Sequence, residues 1–231
     1  MNVVITGTSG GIGRAVALRF LKEGHTVYGL DVEPATIPEY ATQKDIVAEK
    51  ETIGRYIHFQ CDVADATSLP EISEVDILIN NAGVQNSGRD IEVNLKGVIH
   101  CTEKYGLQPE IKAILNQASV SAHNGAEFPE YVASKGGVLA YTKAIAKEVA
   151  KYGATCNSVS FGGVLTELNQ PVIDNAEAWK EIMDMTPLQK WATPQEAAEW
   201  IYFLTVTNKS MTAQDVIIDN GEMMNHRFVW C

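Results

Sequence analysis

Asn2-Val3-Val4-Ile5-Thr6-Gly7-Thr8-Ser9-Gly10-Gly11-Ile12-Gly13 is the stretch whose reading decides the fold. Asn2 to Thr6 is a short, β-branched apolar run of the length expected for a buried strand. From Gly11 to Glu23, Ile12, Ala15, Val16 and Phe20 form an apolar stripe at helical spacing, with Arg14 and Lys22 off it. Gly24 stops that helix, and a second strand, Thr26 to Leu30, follows at once. A glycine-rich turn between a strand and a helix suits a pyrophosphate. Gly7 permits the tight turn, while Gly11 and Gly13 let the backbone approach the phosphates and the helix pack on the sheet. The helix N-terminus adds unpaired N–H groups and a favourable dipole. A glycine-rich segment alone is often only a flexible loop, so its placement carries the meaning.

The same alternation continues outward. Strand-like runs occur at Tyr56 to Gln60, Asp76 to Ile79, Ala113 to Asn116, Thr155 to Ser160 and Asp215 to Ile218. Helical runs fall near 90–106, 131–152 and 194–206. The last opens with Thr193-Pro194-Gln195-Glu196, a capping box with proline at the first helical position. Seven strands interleaved with helices predict an α/β fold of the Rossmann-like, doubly wound type. Its mostly parallel, seven-stranded sheet would carry helices on both faces and bind ligands at the carboxyl ends of its strands. No repeat, low-complexity tract or long Pro/Gly/Ser linker divides the chain, so one domain is expected over residues 1–231.

The 231 residues can bury a substantial core, and 45% hydrophobic with 20% charged residues is an ordinary globular composition. A net charge of −11 argues against a nucleic-acid partner, though not against a small anionic cofactor held by backbone N–H groups. Cys61, Cys101, Cys156 and Cys231 form no C-x-x-C pair, which supports neither a metal site nor a disulfide framework. The histidines at 25, 58, 100, 123 and 226 show no ligand spacing either, so no metal is expected. No apolar stretch reaches the roughly 18 residues that span a bilayer. Met1 directly before a strand leaves no room for a signal peptide. The expectation is a cytoplasmic protein with no membrane partner.

Five polar residues carry candidate chemistry. Asp31 follows the second strand, 18 positions beyond Gly13, where an acidic residue accepts hydrogen bonds from the adenosine ribose and repels a 2′-phosphate. That favours NAD(H) over NADP(H), with Glu33 as a rival assignment. Tyr131-Val132-Ala133-Ser134-Lys135 opens a helix, and positions i and i+4 share a face. A free tyrosine, with a pKa of about 10, is a poor base at neutral pH, and a nearby ammonium favours the phenolate. Ser119, 12 positions before Tyr131, could hold a substrate oxygen, with Ser121 as a rival donor. Asn94 is a polar side chain within an otherwise amphipathic helix. Each feature has a bland alternative, whether a solvated carboxylate, a chance pair on a helix or a turn serine.

Taken together and in order, these residues resemble the short-chain dehydrogenase/reductase family in its compact form. Thr6 to Gly13 is similar to its T-G-x-x-x-G-x-G, Asp62-Val63 to its D-V, and Asn80-Asn81-Ala82-Gly83 to its N-N-A-G. Asn94, Ser119, Tyr131 and Lys135 fall on its Asn-Ser-Tyr-Lys tetrad. Gly162 to Thr166 resembles its nicotinamide-covering loop, and Asp219-Asn220-Gly221 its D-G-G. The resemblance implies hydride exchange between NAD(H) and an alcohol/ketone pair, with Tyr131 as acid/base and Ser119 orienting the substrate. Lys135 would support Tyr131 and the nicotinamide ribose, and Asn94 a water relay. Ser9, Gly10 and Ile12 would line the pyrophosphate turn, beside Gly7, Gly11 and Gly13. Asp62, Val63, Asn81, Ala82 and Gly83 would contact adenosine, and Val164 and Thr166 the nicotinamide. Homodimers or homotetramers are common among such relatives. A redox-sensing protein with little catalysis is the alternative reading.

The chain also departs from the family pattern. Phe161 stands where proline is usual, and Asn220 replaces a glycine. The segments 63–76 and 83–94 are short, which predicts a more open substrate cleft. The segment from about 166 to 192, with Trp179, Met183, Met185 and Trp191, reads equally as an apolar substrate lid or as ordinary helix packing.

Overall fold

A computed structural model describes residues 1–38, 54–126 and 128–224 of the chain, which leaves His226 and Cys231 outside the described residues. Val3, Val4 and Ile5 in β1 (Asn2–Thr6) are fully buried, as a strand covered on both faces requires. β1 lies inside a sheet of seven strands in the order β3-β2-β1-β4-β5-β6-β7, every neighbouring pair parallel. The other strands are β2 (Thr26–Asp31), β3 (Tyr56–Gln60), β4 (Ile77–Asn80), β5 (Ala113–Ser119), β6 (Thr155–Phe161) and β7 (Asp215–Ile218). From β1 the chain runs outward to β3, then crosses back to β4 on the other side of β1. The carboxyl ends of β1 and β4 therefore diverge at a topological switch point, where ligands of such sheets bind.

Helices cover both faces. On one face α1 (Gly11–Lys22) packs with α7 (Pro194–Tyr202), so that Val16, Phe20, Ala197 and Ile201 share a core with Val3 and Ile5. On the other face Ile145 and Val149 of α4 (Pro129–Val149) meet Cys101 and Tyr105 over Val4 and Leu78. The Thr193–Glu196 capping box is present with both reciprocal bonds. Short α3 (Ser121–Asn124) precedes α4, and α5 (Gln170–Ile173) and α6 (Ala176–Met185) form the connection between β6 and α7.

Most expected boundaries hold within a residue or two, and the differences have local causes. β5 extends to Ser119 because it stays paired with β6 as far as Ser119 opposite Phe161. Phe161, unlike proline, keeps an N–H, and β6 runs through it. α4 begins at Pro129, two residues before the expected start, because proline's fixed φ suits the first turn. The expected helix over 90–106 is α2 (Gly97–Cys101) flanked by π-helical segments Ile91–Lys96 and Thr102–Gly106. Asn94 lies in the first of these wide turns.

Candidate active site

At the switch point, the turn after β1 is shaped almost entirely by main chain. Gly7 takes a φ of +75° and donates its N–H to Leu30 O at 2.7 Å. A Cβ on Gly13 would lie 1.9 Å from Gly7 O, so only glycine lets α1 start this close to the strand end. Asn81 latches the turn from β4, its amide nitrogen donating to Thr6 O (2.8 Å) and Gly7 O (3.2 Å). Thr6 Oγ1 in return accepts the N–H groups of Asn81 and Ala82, both at 2.9 Å. The N–N-A-G segment thus holds the glycine turn in shape as well as lining the space beside it.

That space is a cleft of about 350 Å³. Of the expected cofactor contacts, Gly7, Gly10, Gly11, Ile12, Gly13, Asp31, Asp62, Val63, Asn81, Ala82, Gly83 and Thr166 line it. Ser9 does not. Its N–H is donated to Asp31 Oδ2 (2.8 Å) and its hydroxyl to Glu33 O (3.3 Å). The other Asp31 oxygen accepts the Glu33 N–H at 2.9 Å, which fixes the carboxylate at the rim. Asp31, rather than Glu33, lines the cleft. Opposite it, Asp62 accepts from Arg89 at 2.7 Å and from Ala64 N at 2.9 Å. The Arg89 guanidinium holds the Asp62 carboxyl below the usual carboxylate range, against the effect of burial. Arg89 also lines this cleft and was invisible to motif reasoning, because only the short 83–94 connection brings it there.

A second cleft of similar volume adjoins the first, and Ile12, Gln117, Thr166 and Leu168 border both. Ser119, at the end of β5, and Tyr131, in the first turn of α4, line it together. Val164 lines it too. Ser121 is fully buried behind Ser119, donating its hydroxyl (2.9 Å) and its N–H (3.2 Å) to Ser119 Oγ. Ser119 thereby accepts two bonds and keeps its own O–H for a ligand.

Lys135 stands behind these groups, 3% exposed, with its ammonium donating to Gln117 O at 3.0 Å and 5.7 Å from the Tyr131 ring centroid. The buried Asn94 amide is turned to Val84 N (2.8 Å), Val84 O (2.9 Å) and Ser134 Oγ (3.0 Å). Ser134 Oγ in turn donates to Tyr131 O at 2.7 Å. Asn94 therefore ties the loop after β4 to the base of α4. A Cβ on Gly83 would lie 3.2 Å from Asn94 Oδ1 and 3.4 Å from Lys135 Nζ, so a bare backbone separates these side chains from the first cleft.

The 166–192 segment both lines a cleft and packs on itself. Met185 and Trp191 line the second cleft, with Leu168 and Ile182, whereas Trp179 packs edge-on against Trp191 at 5.0 Å. Met183 does not line it. Asn220 replaces its glycine by adopting a φ of +54°, which asparagine tolerates. Motif reasoning also missed Gln85, Gln117 and Glu222 in this cleft. Burial raises the Cys61 thiol to about 11 and the Cys156 thiol to about 12, and pushes Cys101 up as well, so none is a ready nucleophile. Among the described residues, no helix is long and apolar enough to cross a membrane.

An elongated dinucleotide fits these surroundings. The glycine cradle and a helix N-terminus face one cleft. At the seam, Gln117 Oε1 is buried without a partner, a polar atom suited to a ligand donor. A family model described as enoyl-(acyl carrier protein) reductase, of the short-chain dehydrogenase type, matches residues 7–222. The chain belongs to the short-chain dehydrogenase/reductase family. It is an oxidoreductase acting on CH–OH or keto groups. A 3-oxoacyl-[acyl-carrier-protein] reductase from Synechocystis is 32% identical, with 96% of each chain covered. Among solved structures, a short-chain type dehydrogenase/reductase from Mycobacterium marinum is similar at 27% identity and a TM-score of 0.80, covering 96% of this chain and 94% of that one. A 4-hydroxyisoleucine dehydrogenase complexed with NADH is similar at 25% identity and a TM-score of 0.81, covering 97% and 99%.

Proposed function

We propose that this short-chain dehydrogenase/reductase interconverts an alcohol and a ketone or aldehyde with NAD(H), Tyr131 moving the proton. One observation carries the reading. The Ser119 and Tyr131 side chains line a cleft that continues, past Gln117 and Thr166, into a glycine-walled cleft ending at Asp31. The bound nicotinamide supplies or accepts the hydride. Ser119, its oxygen already saturated as an acceptor by Ser121, donates its O–H to the substrate oxygen and orients the reacting carbon. Tyr131 gives that oxygen its proton on reduction and removes it on oxidation. The Lys135 ammonium, 5.7 Å from the ring, favours the phenolate that results. Asn94 positions these groups through Ser134 and the loop at Val84.

Preference for NAD(H) over NADP(H) rests on Asp31. Two backbone N–H groups fix its carboxylate at the first cleft, where it would repel a 2′-phosphate. Arg89, the cation in the same cleft, is paired with Asp62, which leaves little charge to attract one. The test follows NADH absorbance with a panel of ketones and aldehydes, and titrates NADH and NADPH against the protein. Turnover of at least one carbonyl with NADH bound more tightly is expected. NADH binding with no turnover across the panel would favour a redox sensor, and equal or tighter NADPH binding would overturn the role of Asp31.

A further inference from the structure

Glu222 follows β7 in a 3₁₀ turn (Glu222–Met224), and its carboxylate lines the substrate cleft. It is the single acidic side chain on that lining, and neither lysine nor arginine joins it there among the described residues. Its seat is made by chain segments far from it in sequence. Gly163 donates its N–H to Glu222 Oε1 at 3.2 Å, and a Cβ on Gly162 would lie 2.5 Å from Oε2. The bare backbone of the loop after β6 is therefore what admits the carboxylate. Trp191 and the α6 side chains Ile182 and Met185 line the same cleft. The Trp191 indole N–H is buried without a hydrogen bond of good geometry, and Asp219 is taken by the N–H groups of Gly221 (2.9 Å) and Met223 (2.8 Å).

A carboxylate in such a place is under-satisfied. Burial raises its pKa, the Asp219 charge adds to the rise, and the Gly163 and Trp191 N–H groups only partly oppose it. One backbone N–H and a poorly aligned indole N–H are little for a group with about four lone-pair sites. A ligand that brings a donor to Oε2 gains a charge-assisted bond and relieves that desolvation, whereas a ligand that brings an anion meets repulsion, with no lysine or arginine among the described residues that line the cleft.

We infer that Glu222 is a specificity-determining residue that accepts a hydrogen bond from a hydroxyl or ammonium on the substrate, remote from the reacting carbon, and disfavours a carboxylate there. The inference rests on the assignment of this cleft to an alcohol/ketone substrate. It separates this chain's substrates from purely aliphatic carbonyl compounds, which offer Glu222 nothing.

The experiment uses the full chain saturated with NADH and a set of ketones of equal length that end in methyl, hydroxymethyl, aminomethyl or carboxylate. Both kcat/KM and calorimetric affinity are measured for the wild type and for Glu222→Gln. Hydroxyl and ammonium ketones should be favoured by at least about 10-fold over the methyl ketone, with the carboxylate last. Glu222→Gln keeps an acceptor for Gly163 but loses the charge. The ammonium ketone should lose at least about 10-fold, the carboxylate should gain, and the hydroxyl ketone should move little. A purely structural Glu222 would change all four substrates alike. Identical rankings in the two proteins, or a wild type that prefers the carboxylate, would overturn the inference. If no ketone is turned over, the oxidoreductase reading of the cleft fails instead, and the affinity ranking still decides what Glu222 does.

Discussion

The two clefts differ in what they are made from. The glycine-walled cleft is centred on backbone at the ends of β1, β2 and β4 and on one helix N-terminus, with side chains such as Asp31, Asp62 and Arg89 at its edge. The substrate cleft is built of side chains from segments that lie far apart in sequence, including Gln85, Ser119, Tyr131, Ile182, Trp191 and Glu222. Backbone geometry tolerates little change, because a strand-turn-helix corner works in one shape. A side-chain wall changes one residue at a time without disturbing the sheet. On the proposed reading, the first cleft therefore follows a pattern common to many substrates, while the second reflects what this chain acts on.

That contrast predicts where substitutions hurt most. Gly13→Val would place branched carbon where a Cβ already comes within 1.9 Å of Gly7 O, so the turn must open. Titration calorimetry should show NADH affinity lost by more than about 100-fold, about 2.7 kcal/mol or more. Near-normal binding would mean that the turn does not form the phosphate site. In the second cleft, Ser119→Ala should lower turnover by about 10- to 100-fold while NADH affinity stays nearly intact. Ser121→Ala should do less, because Ser121 acts only through Ser119. The reverse ranking would reassign the substrate-orienting hydroxyl. Asp31→Ala, by removing both the repulsion and the ribose acceptor, should narrow the NADH preference by about 10-fold.

The smallest effect concerns stability. Burial raises the Glu222 pKa, so the native state penalises its charged form more than the unfolded chain does. Its contribution is present below the ordinary carboxylate pKa of about 4.3 and is lost as pH rises through the higher native value. Asp62 and Asp76, whose pKa values are lowered, act in the opposite sense. The difference between the wild type and Glu222→Gln isolates the effect. The variant's Tm should gain on the wild type by about 1–3 °C between pH 4 and pH 7, with no such drift if Glu222 is freely solvated.

Much of the fold was legible because the apolar runs of β1, β3 and β7 and the Thr193–Glu196 cap are local signals whose meaning needs no partner. The glycine cradle and Asp31 were legible for the same reason. Ser119 and Ser121 could not be separated by sequence, since they lie two residues apart at the end of β5, and only the bend into α3 brings Ser119 to the cleft and buries Ser121 fully. Asn94 was singled out, but not that it bonds the Val84 backbone, because that contact depends on how the loop between them folds back. Arg89, Gln117 and Glu222 carry no spacing signal at all. Each reaches its cleft through long-range packing, and a glutamate after a strand looks like any solvated carboxylate.

The central claim is that Tyr131 transfers the proton in the second cleft. Tyr131→Phe removes one hydroxyl and leaves the ring, so the measurement is turnover with an accepted ketone alongside NADH affinity in the same variant. Turnover should fall by at least about 100-fold, about 2.7 kcal/mol of barrier, while NADH affinity and thermal stability remain close to the wild type. A Tyr131→Phe protein that binds NADH normally and still turns over near the wild-type rate would contradict the account, because the proton would then move through another group.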